Sequence, residues 1–278
     1  MAWPVLLPHN LVAALVDQGR LNLLLGDAPV RHLYWQKIKM DFTSLSDVDP
    51  NLSAPLALYG DECTAFRQAT MAFHWQALLN PHSSNSIQSR FLIAMIPSQY
   101  YVQQCLMSYI VESLQKLSCF GIRVANDTKR VDPETLDGLT YHFHIMSIRG
   151  DWKFLKQILN LSRYATAEYI CPFCMASKGL KDIPNNYTDL SDDAPWRSTH
   201  FTCSLPWDVE PQICRLQDWD IRKVGMDMLH IWNLGCARDL IGGCMQYLVK
   251  SKYFGPRLRQ SAALAQATVK LKFWPLAG

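Results

Sequence analysis

Twice in this chain a short apolar run breaks off at Gly-Asp, first at Leu58-Tyr59-Gly60-Asp61 and again at Ile148-Arg149-Gly150-Asp151. The runs, Leu56 to Tyr59 and Tyr141 to Ile148, are short and dominated by Leu, Ile, Tyr and Phe, the pattern of strands buried on both faces. Between them the period changes. Apolar residues at 102, 105, 106, 109, 110, 114 and 117 form one stripe of an amphipathic helix. A strand, a helical crossover and a second strand readily place the two strands side by side and parallel, since such crossovers are right-handed and compact.

Two more strands fit between the first Gly-Asp and that helix: Met71 to Leu79, and Phe91 to Ile96, which Pro97 stops. The order is strand, strand, strand, helix, strand, helix. It predicts an α/β fold with a mixed sheet and flanking helices. Residues 10 to 42 read as helical, with Asn10 as cap and Val30, Leu33, Tyr34 and Ile38 at helical spacing. Residues 43–55 are a linker by composition, and 126–137 and 179–200 are polar loops. The organisation expected is a helical segment at 1–50, a core at 51–165, an insertion at 166–239 and a basic helical tail at 240–278.

At 278 residues, with 49% hydrophobic and 18% charged side chains, the chain can bury a full core and is not a disordered type. The net charge of +3 implies no nucleic-acid partner by itself. Its distribution says more. After Asp239 there is no acidic residue, while Lys250, Lys252, Arg257, Arg259, Lys270 and Lys272 give that tail a positive sign suited to phosphates. A solvated helix face has the same composition. The nine cysteines are odd in number and mostly lie in apolar stretches, as Cys105, Cys119 and Cys244 do, so a reduced, intracellular protein is expected. Pro4 and Pro8 interrupt the first apolar run, against a secretory leader, and no stretch is apolar enough to span a membrane.

Asp61 and Asp151 are the candidate catalytic pair. Two carboxylates at neighbouring strand ends repel unless a hard cation neutralises them, and Mg²⁺ or Mn²⁺ prefers carboxylate oxygen. The bland alternative is that each Asp starts a turn or caps the next helix. Glu62 is a bystander or an outer neighbour of Asp61. Cys171-Pro172-Phe173-Cys174 is half of a structural zinc site, and Asp227-Met228-Leu229-His230 puts Asp227 and His230 on one helix face as candidate further ligands. Cys203 and Cys214 are alternatives that spacing alone does not rank, and buried reduced thiols would look the same.

Taken in order, these four motifs resemble those of DDE-type transposases of the RNase H-like superfamily, particularly CACTA-like and related eukaryotic cut-and-paste elements. The similarity covers residues 56 to 239. It implies an RNase H-like mixed sheet, a Cys/His zinc-knot-like insertion, catalytic Asp61 and Asp151 holding Mg²⁺ or Mn²⁺, structural Zn²⁺, DNA as substrate, a homo-oligomeric assembly and a nuclear location. It also implies a third acidic residue, usually Glu, on a helix beyond Asp227-x-x-His230. No Glu follows Glu210, and Asp239 is the sole acidic residue beyond His230. Either Asp239 fills that place or the residue lies beyond this sequence. Weak DNA binding with poor or no cleavage is therefore the expectation, with a non-catalytic zinc-stabilised module binding nucleic acid or protein as the alternative.

Overall fold

The structure is a computed structural model that describes residues 3–65, 67–82, 89–100, 103–124, 138–163, 166–179, 185–201, 206–226, 237–251 and 253. The chain divides into two compact units, Met1–Gly225 and Met226–Gly278.

The first unit opens with three helices: α1 (Pro8–Asp17), α2 (Asn22–Leu25) and α3 (Ala28–Asp41). Pro8 occupies the first turn of α1 and Leu7 stands at its N-cap, so Asn10 lies inside the helix and is not its cap. Proline wins there because its fixed φ suits the first turn and its missing N–H has no partner to lose. Then come β1 (Ser53–Ala65), β2 (Gln68–Ala77), β3 (Arg90–Pro97), α4 (Gln103–Gln115), a single π turn at Lys116–Phe120, β4 (Ile122–Arg123), β5 (Thr140–Gly150), α5 (Trp152–Ile158) and β6 (Val224–Met226). The sheet runs β3-β2-β1-β5-β4, with β6 also pairing to β5. β1, β2 and β3 pair antiparallel, and β5 lies parallel to β1. This is the mixed α/β arrangement expected from the order of periods.

β2 has the cleanest alternation. Met71, Phe73, Trp75 and Ala77 are buried while Ala72, His74 and Gln76 are half-exposed, so one face of the sheet is dry and the other partly wet. Leu58 pairs with Trp75 and Gly60 with Phe73, which places the buried residues of β1 on the dry face. That face is covered from the α4–α5 side, and Phe154 of α5 meets Phe73 with ring centroids 5.3 Å apart. In α4 the buried apolar residues are Leu106, Met107, Ile110, Val111 and Leu114, whereas Tyr109 is 57% exposed and Cys105 is also exposed. The stripe is therefore rotated from the expected one, because Met107 and Val111 fit the sheet and the 105/109 edge does not.

On the other face α3 packs over the first half of the sheet. Trp35, fully buried, donates its Nε1–H to Ser53 O at 3.0 Å and joins Phe42, Leu45 and Met146 in one apolar cluster. Met146 reaches it through a bulge: Leu56 pairs with Ile145 but Ala57 with Ser147, so β5 carries one extra residue there. The second unit contributes one described helix, α6 (Ala237–Lys250).

Candidate functional site

The expected site begins with two glycines. Gly60 and Gly150 are register partners in the parallel β1–β5 pair, at the centre of the sheet. A Cβ on Gly60 would lie 1.9 Å from Phe154 Cε2, and one on Gly150 would lie 2.2 Å from Phe154 Cδ1 and 2.6 Å from Gly60 O. The Phe154 ring is thus seated over a floor that only glycine provides. This packing explains both Gly-Asp pairs without any appeal to strand ends. β1 in fact does not stop at Gly60; it continues through Asp61, paired with Ala72, to Ala65. Polar Asp61, Glu62 and Thr64 are tolerated because β2 keeps the ladder going.

Asp61 and Asp151 follow the glycine pair directly, on strands about 4.8 Å apart. Their local roles differ. Asp61 is half-exposed within the ladder. Asp151 leaves it with extended backbone (φ −69°, ψ 171°) and becomes the N-cap of α5, its Oδ1 accepting the Phe154 N–H at 2.7 Å. Glu62, one residue on and across the strand from Asp61, forms an ion pair with Lys153 of α5. Carboxylates are the donor type that a hard divalent cation prefers, with Asp61 inside β1 and Asp151 just past the end of β5. Among the described residues no group of three or more His, Cys, Asp or Glu side chains is placed to hold a metal.

Next to Asp61, on the same wet face, lies a row that sequence reasoning missed. Tyr59 pairs with His74 on one side and Arg149 on the other. The Tyr59 and His74 rings lie 4.7 Å apart at 31°. Arg149 is exposed on a central strand and donates its Nε–H to Ser147 Oγ at 2.8 Å. Burial, aided by the Arg90 charge, pushes the His74 imidazole down to about 4, so the ring is neutral at pH 7. The alternation in Phe73-His74-Trp75-Gln76 was the available signal.

The Cys-x-x-Cys motif sits at the turn of a small hairpin. Tyr169 and Ser177 bridge antiparallel, and Ile170 N–H donates to Ala176 O at 2.9 Å. Phe173 N–H donates to Cys171 Sγ at 3.4 Å. Cys174 is buried. The segment ending at Phe201 docks on this turn: Phe201, at φ +57°, donates its N–H to Phe173 O at 2.8 Å, and Met175 N–H donates to Thr199 Oγ1 at 2.9 Å. The described structure thus holds Cys171 and Cys174 on one turn, against which the segment ending at Phe201 packs. Asp227, His230 and Cys203 lie outside the described residues. Cys214 is elsewhere, in the turn Gln212–Arg215, where burial and then Glu210 push its thiol up to about 12. Such a site suits a protonated thiol and opposes metal binding.

Of the basic tail, Lys250 closes α6 and is exposed, where a cation complements the helix dipole. Lys252, Arg257, Arg259, Lys270 and Lys272 lie outside the described residues, as does the side chain of Asp239, which belongs to α6. Among the described residues no helix is long and apolar enough to cross a membrane. Compared with models of known protein families and with curated proteins, the chain matches none.

Proposed function

We propose that this chain is the RNase H-like core of a transposase-derived nuclease or strand-transferase acting on DNA phosphodiesters, with weak cleavage in this form. The observation that supports the reading is the Gly60–Gly150 register, the last pair of the central parallel strands, after which Asp61 and Asp151 follow. The sheet order supports it as well: three antiparallel strands, then a strand parallel to the first and beside it, as in RNase H-like proteins. Asp61 and Asp151 are the residues that would hold Mg²⁺ or Mn²⁺. When bound, such ions activate a water or 3′-hydroxyl and neutralise charge on the phosphate. The protein's own part is positioning. The Phe154 N–H fixes Asp151 Oδ1, and Lys153 draws Glu62 away from the pair. Two carboxylates hold a second ion loosely, hence weak cleavage.

The test is Mg²⁺-dependent nicking of end-labelled DNA by the intact chain. Asp151→Asn keeps a side chain that caps as well as aspartate, so it should leave the melting temperature unchanged while abolishing whatever nicking the parent performs. Cleavage that survives both Asp61→Asn and Asp151→Asn would sink the reading. Robust cleavage lost in Asp239→Asn would instead make Asp239 the third carboxylate.

A second reading is favoured by the preformed Cys hairpin and by the capping role of Asp151: a non-catalytic, zinc-stabilised module binding nucleic acid or protein. Native mass spectrometry of the intact chain should find one zinc, lost in Cys171→Ser. Comparing Cys203→Ser with His230→Gln then identifies the remaining ligands. A metal-free protein whose Cys171 reacts at once with a thiol reagent would rule the zinc out.

A further inference from the structure

We infer that the wet face of the sheet beyond α3 is a platform for one strand of nucleic acid, with a base stacked on Tyr59 and His74 and a phosphate held by Arg149. The inference deepens the proposed function, since it assigns binding residues beside Asp61, but it needs neither metal nor cleavage.

The chemistry is in the cross-strand row. His74, Tyr59 and Arg149 are register neighbours on β2, β1 and β5, and Leu92 of β3, 43% exposed, continues the row beyond His74. α3 approaches this row at Tyr34, which feels the Arg149 charge, while the Arg149 side chain is exposed and Tyr59, His74 and Asp61 are half-exposed. An arginine on a central strand is costly to bury, and here it is exposed with its stem fixed along the strand by Ser147. Its planar guanidinium is suited to a phosphate. Arg90, exposed at the start of β3, adds a second positive charge on the Leu92 side. The neutral His74 ring, tilted against Tyr59, widens the aromatic surface without adding charge. Aromatic rings flanked by cations on a sheet accept any base by its π-face, and the arrangement selects a single strand because duplex bases already stack on each other. Asp61, in the next row, repels the adjacent phosphate, so the strand path runs along the Tyr59 row.

The experiment measures anisotropy of a labelled oligothymidine, about 20 nucleotides long, titrated with the full chain in EDTA across a salt series. The single strand should bind more tightly than a duplex of equal length. Tyr59→Leu should weaken binding on the order of tenfold, and Tyr59→Phe should restore it, since Phe stacks as Tyr does. Arg149→Gln should weaken binding and lower the slope of log affinity against log salt by about one. Thermal melts of each variant separate lost folding from lost contact. Parental affinity in folded Tyr59→Leu and Arg149→Gln would overturn the platform and leave binding to the basic tail. Absence of binding, with a concentration-dependent dimer abolished by Arg149→Gln, would overturn it in favour of self-association. Because the assay excludes divalent metal, a chain that binds this way yet never nicks DNA defeats the catalytic reading alone.

Discussion

At the scale of residues, the sequence signal and its cause turned out to be different things. The two Gly-Asp pairs suggested strand ends, which holds for Gly150 but not for Gly60; both glycines lie against Phe154, and the aspartates then divide the work. Gly60→Ala or Gly150→Ala should therefore lose about 2–3 kcal/mol in urea denaturation, since each new Cβ would overlap a ring packed on both sides. Adding Phe154→Leu to either should return part of that loss, as coupled neighbours do. If Gly150→Ala is neutral, the ring is free to move and the close-packed floor is not what selects glycine. Asp151→Ala should cost about 1 kcal/mol through the lost cap alone.

At the scale of elements, short helices depend on partners outside themselves. α2 has four residues, too few to be stable alone, and its C-terminal carbonyls are satisfied by a buried side chain. Arg31 of α3 donates to Leu25 O at 3.2 Å and Gly26 O at 3.1 Å, and also to Pro50 O at 2.7 Å and Asn51 O at 3.4 Å. One guanidinium thus ties α2, α3 and the approach to β1 together. Gly26 makes the tight exit, at φ +64°, where a Cβ would meet Leu79 O at 2.1 Å. Arg31→Met should destabilise by about 2–3 kcal/mol by leaving buried carbonyls without donors. Arg31→Lys should recover little, because an ammonium does not reproduce the planar fork. Equal stability of the Met variant would show that water replaces the lost donors.

At the scale of the whole molecule, acid should unfold this chain in two stages. The His74 folded-state value near 4 lies below its unfolded value of about 6.5, so the unfolded state takes up the proton first as pH falls. Stability is therefore lost between roughly pH 6.5 and 4 and no further below that. Asp218 has the opposite chemistry and the same outcome at lower pH. Burial alone would raise its carboxyl, but the hydrogen bond from His144 at 2.7 Å and the charges of His144 and Lys223 bring it below the usual range. Its contribution is present above about pH 4 and disappears as pH falls through the folded value. Denaturation at pH 7, 5 and 3 should show both steps, and His74→Phe should remove the first. A first step that persists in His74→Phe would assign it to another group.

The mixed sheet was legible because period is a local property. The run Leu56 to Tyr59, the alternation in β2 and the stop at Pro97 each speak for themselves, and the rule on crossovers then leaves few topologies. The Cys171-x-x-Cys174 spacing was legible as a motif, but the small hairpin that carries it was not. Register was not legible. That Tyr59 stands between His74 and Arg149, that Gly60 meets Gly150, and that a bulge delivers Met146 to α3 depend on how distant strands align. The tight fit of side chains such as Phe154 and Trp35 decides that alignment. Local sequence determined which elements form and which residue types they carry; packing between elements decided which aspartate caps a helix and which faces an open sheet.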